Sequence, residues 1–378
     1  MIPDQRHMFS MPDDVAYLNC AYTAPLLKAA EAAGKKAVAA KTMPWQITPA
    51  DFFSFIRPVR EKFAGIVQCR PGDVAIIPSV SYGIAVAARN LPLEKGQEVL
   101  VLEDQFPSNV YAWQRKAAET GAVVKTVNRP PDHDWTTAVL EAFTKKTAIA
   151  ALPNCHWTDG GLLDLVRIGR HCRENHASLC IDATQSLGAM PFSVEEIQPD
   201  FVVTTAHKWL LGPYSCGFLY AAPRWQSGTP LEENWMNRKG SEDFSRLVDY
   251  QEDYQAGAIR FDMGEVSNFF LSPVVNATLG QILDWGVANI AQTLAGKINA
   301  VVDRASSLGL LTVPEKMRSP HMTGIGFSKG LPKGLVETLG AEKIFVSIRG
   351  ESIRVSPHLY TRDRDIDRLF DALSRHCG

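Results

Sequence analysis

Two residues with reactive side chains follow neighbouring strand-like runs in the middle of the chain. Asp182 comes directly after the apolar run Ser178–Ile181, and Lys208 comes four residues after the run Phe201–Thr204. In an open α/β sheet, ligands bind outside the carboxyl ends of the strands, so we expect both side chains to project into one crevice. A carboxylate and an amine at that position could hold the two ends of a planar, charged heterocycle.

Pyridoxal phosphate is a heterocyclic cofactor that requires this pair of groups. A lysine amine forms a Schiff base with it, and an acidic partner keeps its pyridine nitrogen protonated so that the ring acts as an electron sink. The amine must be neutral for part of the time, and burial beside a cationic ring promotes that state. An isolated Asp or Lys is more often a strand-end cap or a surface residue, so the interpretation depends on the surrounding sequence.

A candidate anion site lies earlier in the chain. The segment Ile76–Gly83, with the sequence IIPSVSYG, leads from a short strand into a helix rich in small residues. A helix N-terminus carries free N–H groups, and a hydroxyl beside them completes a ready anion site. A serine N-cap explains the same pattern, so the segment predicts either a phosphate-binding turn or an ordinary cap.

The elements that must position these residues alternate between strand and helix. This alternation indicates a mostly parallel sheet with right-handed crossovers, and strand runs that are apolar throughout indicate a sheet covered on both faces. The predicted strands are Val99–Leu102, Val123–Val127, Ala148–Leu152, Ser178–Ile181, Phe201–Thr204 and Gly217–Tyr220. The predicted helices are Gly83–Asn90, Val110–Thr120, Thr136–Thr144 and Leu163–Asn175.

The chain changes character after the last of these strands. The segment Gln226–Ala258 is rich in charge, Trp and Tyr, and it predicts a long excursion between two domains. We then expect one long helix over Ser272–Leu294, the segment Lys297–Leu308, a strand near Ser352–Ser356 and a final helix over Asp363–Ser374. This order predicts a smaller α+β domain in the C-terminal part.

Composition excludes several classes of protein. The 378 residues include 39 Lys and Arg against 41 Asp and Glu, a balance that gives no electrostatic footprint for nucleic acid or an anionic membrane. The sequence has no continuous apolar stretch of about 18 residues for a spanning helix, and its N-terminus lacks the pattern of a signal peptide. Seven cysteines without a CxxC pair predict a reduced, cytoplasmic protein with no metal site.

The sequence around Asp182 and Lys208 closely resembles the aminotransferase class-V family of fold-type I pyridoxal-phosphate enzymes, which includes cysteine desulfurases, kynureninases and several aminotransferases. The family pattern D-A-x-Q-S-x-G is matched by DATQSLG at 182–188, and x-H-K-x-x-x-G-P by AHKWLLGP at 206–213. The resemblance implies pyridoxal 5'-phosphate as the cofactor. It implies Lys208 as the Schiff-base lysine, Asp182 as the partner of the pyridine nitrogen, Gln185 as a donor to the ring hydroxyl oxygen, and Thr205, His207, Val80 and Ser81 as phosphate ligands.

The same resemblance implies residues around the ring and the substrate. A Phe-Pro-Ser segment supplies a stacking ring in kynureninases, and FPS at 106–108 makes Phe106 the candidate here. The loop after the strand Ala148–Leu152 implies Trp157 at the cofactor and Asn154 at the substrate, although a structural role is an equal alternative for both.

Further residues are implied at the substrate side and at a subunit interface. Arg354, between two β-branched residues, implies a clamp for the substrate α-carboxylate, because its planar fork suits bidentate binding. Ala21 and Tyr22 correspond to a segment that lines the substrate pocket. Ser267 and Asn268 correspond to a region that reaches the partner's active site, which implies a homodimer with shared sites.

Two departures from the family pattern reduce the number of reactions that the sequence supports. The stretch AEKIFVSIRG at 341–350 has no cysteine where desulfurases carry their nucleophile, and Phe106 stands where they carry a histidine. Kynureninases usually have a histidine near Thr184, which this chain lacks. We therefore expect an aminotransferase acting on a small α-amino acid. A lyase of the kynureninase or C–S type, an epimerase, and a non-catalytic protein on this fold remain the alternatives.

The resemblance also implies the architecture. We expect an α/β protein with the fold-type I pyridoxal-phosphate transferase fold, in which a large domain contains a mostly parallel, seven-stranded sheet. The large cofactor-binding domain is predicted over 16–257. The small α+β domain is predicted from 1–15 together with 258–378.

Overall fold

The computed structural model describes residues 1–377. Over that range the strands are β1 (Ala16–Tyr17), β2 (Val74–Ile77), β3 (Glu98–Leu102), β4 (Val123–Val127), β5 (Thr147–Pro153), β6 (Ser178–Asp182), β7 (Phe201–Thr205), β8 (Gly217–Ala221), β9 (Leu311–Thr312), β10 (Thr323–Gly326), β11 (Ile344–Phe345), β12 (Ser347–Arg349) and β13 (Ser352–Val355). Each strand predicted from the sequence is confirmed, and no predicted strand end differs from the observed one by more than one residue.

Helices alternate with the strands of the first part and dominate the rest. They are α1 (Lys28–Ala40), α2 (Asp51–Ser54), α3 (Arg57–Val67), α4 (Val80–Asn90), α5 (Tyr111–Thr120), α6 (Trp135–Ala142), α7 (Leu165–Glu174), α8 (Val194–Ile197), α9 (Leu271–Trp285), α10 (Val287–Ser307), α11 (Leu335–Ala341) and α12 (Asp363–Cys377). Among the described residues, none of these helices is both long and apolar enough to cross a membrane.

The central sheet has the strand order β2-β8-β7-β6-β5-β3-β4, and these are its seven strands within residues 1–377. Strands β3 to β7 pair in parallel, whereas β8 runs antiparallel to both of its neighbours. The expectation of a mostly parallel sheet is therefore confirmed. Because β6 and β7 are adjacent and parallel, with Asp182 opposite Val203, the two loops that follow them open at the same sheet edge.

Alternate residues of the central strands enter two different cores. In β6, Leu179 and Ile181 pack in one hydrophobic cluster and Cys180 packs in the other. In β7, Val202 belongs to the first cluster and Val203 to the second. Burial on both faces explains why the sequences of these strands are continuous apolar runs and do not alternate between apolar and polar residues.

Helix α4 approaches the sheet closely because Gly83 has no side chain. A Cβ at Gly83 would lie 2.6 Å from Val203 Cγ1 and 2.7 Å from Ile77 Cδ1. Both neighbours are fully buried branched side chains, so neither can move aside without disturbing the core. Gly83 therefore sets the distance between α4 and the sheet.

We expect Gly83→Ala to destabilise the protein by about 1–3 kcal/mol, the usual cost of forcing an extra carbon into a packed core. Denaturant unfolding of the purified protein measures this change. Gly296→Ala in α10 is the matched control, because a Cβ there meets nothing within 4 Å and alanine favours a helix by up to about 1 kcal/mol. Equal stability of the Gly83 variant and the native protein would contradict the packing argument.

The C-terminal part contains an antiparallel sheet with the order β12-β13-β10-β9. Strand β1 pairs in parallel with β11, and Ala16 and Leu18 pack in the same hydrophobic cluster as Ile353 and Leu369. This mixed element content agrees with the α+β character predicted for the region. The domain boundaries at 16 and 258 stay a prediction.

The single long helix predicted over Ser272–Leu294 is wrong. The structure has two helices there, α9 and α10, which are separated at Gly286. Gly286 has φ of 75°, a conformation that glycine adopts readily and that cannot continue a right-handed helix. The apolar periodicity continues across this point, so the pattern concealed the break.

Candidate active site

The loops at the carboxyl ends of β6 and β7 enclose a cavity of about 220 Å³. Asp182 is the last residue of β6, and Lys208 lies three residues beyond the end of β7. Both side chains line the cavity, as the strand order requires. The residues predicted from the sequence that line it are Val80, Ser81, Phe106, Trp157, Asp182, Gln185, Thr205, His207 and Lys208.

Burial shifts the ionisation of the two charged groups in opposite directions. Desolvation lowers the pKa of Lys208 to about 8, with repulsion by Arg354 acting in the same direction and attraction by Asp182 opposing it. Desolvation also raises the pKa of Asp182, although the hydrogen bond from the Thr184 backbone opposes the shift. The Thr184 backbone N–H donates to Asp182 Oδ1 at 3.0 Å. A lysine with this pKa is neutral for a substantial fraction of the time near neutral pH.

The N-terminus of α4 forms one end of the cavity. Ser79 caps the helix, since its Oγ accepts from the Tyr82 backbone N–H at 3.2 Å. The Ser79 and Ser81 hydroxyls lie 2.9 Å apart. Val80 and Ser81 occupy the first turn, whose N–H groups have no carbonyl four residues earlier within the helix. The sequence left a serine cap and an anion site as alternatives. The structure allows this one turn to serve as both.

Residues after β7 adjoin the same end. Thr205 and His207 both line the cavity. The Thr205 Oγ1 is buried and has no hydrogen-bond partner within the described chain. Desolvation lowers the pKa of His207 to about 4, so its ring is neutral at physiological pH and can accept or donate one hydrogen bond. An unpaired hydroxyl beside a helix N-terminus suits a phosphate group.

Two aromatic rings form a wall of the cavity. Phe106 packs edge to face against Trp157, with ring centroids 5.5 Å apart and an interplanar angle of 80°. The Trp157 Nε1–H donates to the Asp104 carbonyl oxygen at 2.6 Å, which holds the indole in place. Lys208 Nζ lies 5.4 Å from the centre of the Phe106 ring. The lysine amine and the aromatic wall thus adjoin the same space.

Gln185 is held by contacts that sequence patterns do not reveal. Its Nε2 donates to the Ala21 carbonyl oxygen at 3.1 Å, and its Oε1 accepts from Trp209 Nε1 at 3.0 Å. Ala21 is buried and contributes this backbone contact, whereas Tyr22 is 59 % exposed. The structure therefore places Ala21 behind Gln185, and neither Ala21 nor Tyr22 lines the cavity itself.

Arg354 is a buried cation with few partners. Its side chain is 1 % exposed, and Nη1 donates to the Trp157 carbonyl oxygen at 2.6 Å. Its Nε and Nη2 have no hydrogen-bond partner among the described residues. Desolvation, and then repulsion by Arg349, lower its pKa to about 9. Two unpaired N–H groups on a buried guanidinium suit a carboxylate brought by a ligand.

Six predicted site residues are not among those that line this cavity: Ala21, Tyr22 and Arg354, described above, and Asn154, Ser267 and Asn268. Asn154 lines a separate cavity with Thr136 and Leu163, because successive residues of an extended segment point to opposite sides and Cys155 takes the near side. Ser267 Oγ donates to the Phe52 carbonyl oxygen. Asn268 Oδ1 accepts from two backbone N–H groups at the start of α9. The predicted contact of Ser267 and Asn268 with a partner subunit stays a prediction.

Several lining residues were not predicted. They include Ser79, Gln105, Ser108, Asn109, Pro153, Cys155, Thr184 and Tyr214. Gln105 Nε2 donates to the carbonyl oxygens of Asn109 and Ala151, so it shapes the loop that carries Phe106. The Thr184 Oγ1 is buried without a partner in the part of the chain described. The sequence signal for a role of Thr184 at the site was its position inside the DATQSLG motif.

The charges and donors of the cavity fit pyridoxal phosphate. Asp182 offers a carboxylate to a pyridine nitrogen, and Lys208 offers an amine to an aldehyde carbon. The N–H groups of the α4 turn and the unpaired Thr205 hydroxyl offer donors to a phosphate. Each end of the cofactor thus finds a group of the required chemistry.

Comparison with known proteins gives a family and a fold. A model of the aminotransferase class-V family matches residues 47–369. The chain is 25 % identical over 322 residues to the uncharacterized aminotransferase YcbU of Bacillus subtilis, covering 83 % of this chain and 82 % of that protein. It is 22 % identical over 349 residues to isopenicillin N epimerase of Streptomyces clavuligerus, covering 87 % and 88 %.

Solved structures share the whole fold at low sequence identity. A mutant of C-DES with glycine covalently linked to its PLP cofactor superposes with a TM-score of 0.90 at 19 % identity, covering 99 % of this chain and 100 % of that one. The apo cysteine desulfurase of Thermococcus onnurineus superposes with a TM-score of 0.85 at 16 % identity, covering 99 % and 98 %. Because the family model spans most of the sequence and the fold agrees throughout, this chain belongs to the aminotransferase class-V family of fold-type I pyridoxal-phosphate enzymes.

Proposed function

We propose that this enzyme transfers the amino group of an α-amino acid and that Lys208 is its catalytic base. The observation that carries the proposal is the convergence of Lys208 and Asp182 in one cavity with Arg354 beside it. The first two groups suit the cofactor, and the unpaired nitrogens of the third suit a substrate carboxylate. A protein retained only for binding would have no need of a lysine with a lowered pKa at this position.

Residues at both ends of the cavity would hold the cofactor. Val80, Ser81 and Thr205 would bind the phosphate, Asp182 the pyridine nitrogen, and Lys208 the aldehyde carbon. When bound, pyridoxal phosphate supplies an electron sink that makes a proton at the substrate Cα removable. Phe106 and Trp157 would give the cofactor ring an aromatic surface to pack against.

Lys208 Nζ is suited to take the proton from the substrate Cα and to return it. A general base works best when its pKa lies near the working pH, and the pKa of Lys208 is about 8. Arg354 orients the substrate for this step, because a bidentate contact to the α-carboxylate fixes the direction of the Cα–H bond. The alternation of β13 supports this role, since Ile353 packs in the core and Arg354 lies on the opposite face.

Two further titratable groups of the cavity, His207 and Cys155, favour transfer over a two-base epimerisation. Transfer needs one base, whereas a two-base epimerisation needs a second group that delivers a proton from the opposite face. Among the described lining residues, His207 has its pKa lowered to about 4, and burial raises the pKa of the Cys155 thiol above its ordinary value. Neither group is as well matched to neutral pH as Lys208.

Persulfide chemistry through a protein thiol is also disfavoured. The stretch 341–350 has no cysteine. Cys155 lines the cavity, but its Sγ is buried, donates toward the Gln185 carbonyl oxygen at 3.3 Å and has a raised pKa. A thiol held in that state is a weak nucleophile, because the thiolate is the reactive form.

We expect the purified enzyme to show a visible absorption band with pyridoxal phosphate, and borohydride to abolish that band and fix the cofactor on Lys208. A panel of amino acids with 2-oxo acids, followed by product analysis, then separates the reactions. Conversion of the added 2-oxo acid into a new amino acid indicates transfer, inversion of the amino acid indicates an epimerase, and release of ammonia or sulfide indicates a lyase. The absence of any cofactor band at saturating concentration would sink the proposal.

We further propose, from the family resemblance, a homodimer in which Ser267 and Asn268 reach the partner's site. From the cysteine pattern of the sequence we propose a cytoplasmic location. Sedimentation of the purified protein tests the dimer. Mixing a Lys208→Ala subunit with an Asn268→Ala subunit tests the shared site, since a mixed dimer with one intact site should be more active than either variant alone.

A further inference from the structure

A second arginine lies beside Arg354 on the small antiparallel sheet. Strands β12 and β13 pair so that Ser347 is opposite Arg354 and Arg349 is opposite Ser352. Residues two apart on a strand share a face, so Arg349 and Arg354 lie on the same face as diagonal neighbours. Such diagonal neighbours are about 7–8 Å apart, within reach of long side chains, and two like charges at that distance repel each other. This pair needs an explanation other than the stability of the hairpin.

Both arginines contact Trp157. Arg354 Nη1 donates to the Trp157 carbonyl oxygen at 2.6 Å, and the Arg349 guanidinium carbon lies 5.2 Å from the centre of the indole ring. Arg349 is half-buried, and its Nη1 donates to the Ile348 carbonyl oxygen at 2.6 Å. The two guanidinium groups are therefore gathered around one residue of the cavity wall.

Neither arginine has a carboxylate partner in the described part of the chain. Within residues 1–377, no salt bridge includes Arg349 or Arg354. The Arg349 Nε is buried and unpaired there, as are Nε and Nη2 of Arg354. Each guanidinium also lowers the pKa of Lys208, so both lie close enough to act on the catalytic amine.

The excess positive charge exceeds what one α-carboxylate can balance. Asp182 is the partner expected for the cofactor ring, and the N–H groups of the α4 turn are the partners expected for the phosphate. An α-carboxylate on Arg354 would leave Arg349 without an anion. A half-buried guanidinium with a free donor is a site for a second negatively charged group.

We propose that the substrate is an aliphatic α-amino acid with a second carboxylate on its side chain, and that Arg349 binds this second carboxylate. The proposal rests on the assignment of Arg354 to the α-carboxylate. Arg349 is thus a specificity-determining residue, and the face of the β12–β13 hairpin bearing Arg349 and Arg354 is a dicarboxylate clamp. A purely structural role, in which Arg349 only packs on the Trp157 ring, is the competing explanation.

Binding distinguishes the two explanations without any turnover. Glutarate should raise the Tm of the cofactor-loaded enzyme more than its monoamide, glutaramate, at the same ionic strength. Arg349→Gln should remove this difference, whereas Arg115→Gln, which changes an exposed arginine of α5, should leave it intact. Equal shifts with glutarate and glutaramate in the native enzyme would overturn the proposal. Because this readout needs no reaction, a dicarboxylate effect that depends on Arg349 would support the clamp even if the transfer assay failed.

Kinetics give the second test. We expect kcat/KM for glutamate to exceed that for glutamine, and Arg349→Gln to lower it roughly 10- to 100-fold, the usual value of hydrogen bonds to a charged group. The same variant should lower kcat/KM for glutamine by a much smaller factor, and Arg349→Lys should recover part of the loss for glutamate. An equal loss for both substrates would indicate a structural role and would contradict the proposal.

Discussion

Lys208→Ala is expected to lower kcat by roughly four orders of magnitude. The variant loses the group that binds the cofactor covalently and the group that moves the Cα proton, and general acid–base catalysis alone contributes about 10²–10⁴-fold. The pKa of Lys208, lowered to about 8, is what makes it effective in both tasks. Rapid-quench single-turnover rates and the visible spectrum measure the two losses separately.

The same variant should fold at least as stably as the native protein. Desolvation lowers the pKa of Lys208 from 10.5 to about 8, so the folded state disfavours the charged amine. Between these values the unfolded chain binds more protons, and the stability of the cofactor-free enzyme should therefore rise as pH increases from about 8 to about 10. Lys208→Ala should lack this rise, whereas Lys36→Ala, which changes an exposed lysine of α1, should retain it. Retained catalysis in Lys208→Ala would contradict the assignment.

The parts of the site that could be predicted from the sequence are those with local signals. Asp182 and Lys208 follow apolar runs, and the ends of neighbouring parallel strands meet at one sheet edge. The N-terminus of α4 follows a short strand and carries a serine cap. In each case the local pattern specifies both the element and the edge of the sheet at which the residue lies. The structure confirms that these residues line one cavity.

The parts that could not be predicted depend on long-range contacts or on one-residue shifts. Asn154 and Cys155 belong to the same loop, but the alternation of an extended backbone sends only Cys155 into the cavity. Ala21 reaches Gln185 across 164 positions of sequence through a single carbonyl oxygen. Arg349 joins Arg354 only through the register of a hairpin. Sequence periodicity carries no information about contacts of this kind.

Arg354→Met is expected to separate function from stability. The variant should lower kcat/KM by roughly 10²–10³-fold, because removing a buried charged contact to a ligand typically costs about 2–5 kcal/mol. Stability should be unchanged or higher, since a methionine of similar length fills the space and removes a buried charge with unpaired Nε and Nη2. Arg354→Lys should recover little activity, because an ammonium lacks the planar fork.

Arg60 provides the matched contrast for this prediction. It is also a buried arginine, but Nη2 and Nη1 contact the two carboxylate oxygens of Asp262 at 2.7 and 3.1 Å. Arg60→Met leaves the Asp262 carboxylate buried without its cation, so we expect a loss of about 3–5 kcal/mol in the free energy of unfolding. Denaturant unfolding of both variants in the cofactor-free enzyme compares them directly. Equal destabilisation by Arg354→Met and Arg60→Met would show that Arg354 stabilises the fold. An Arg354→Met variant that is stable but inactive would agree with a guanidinium that binds the substrate.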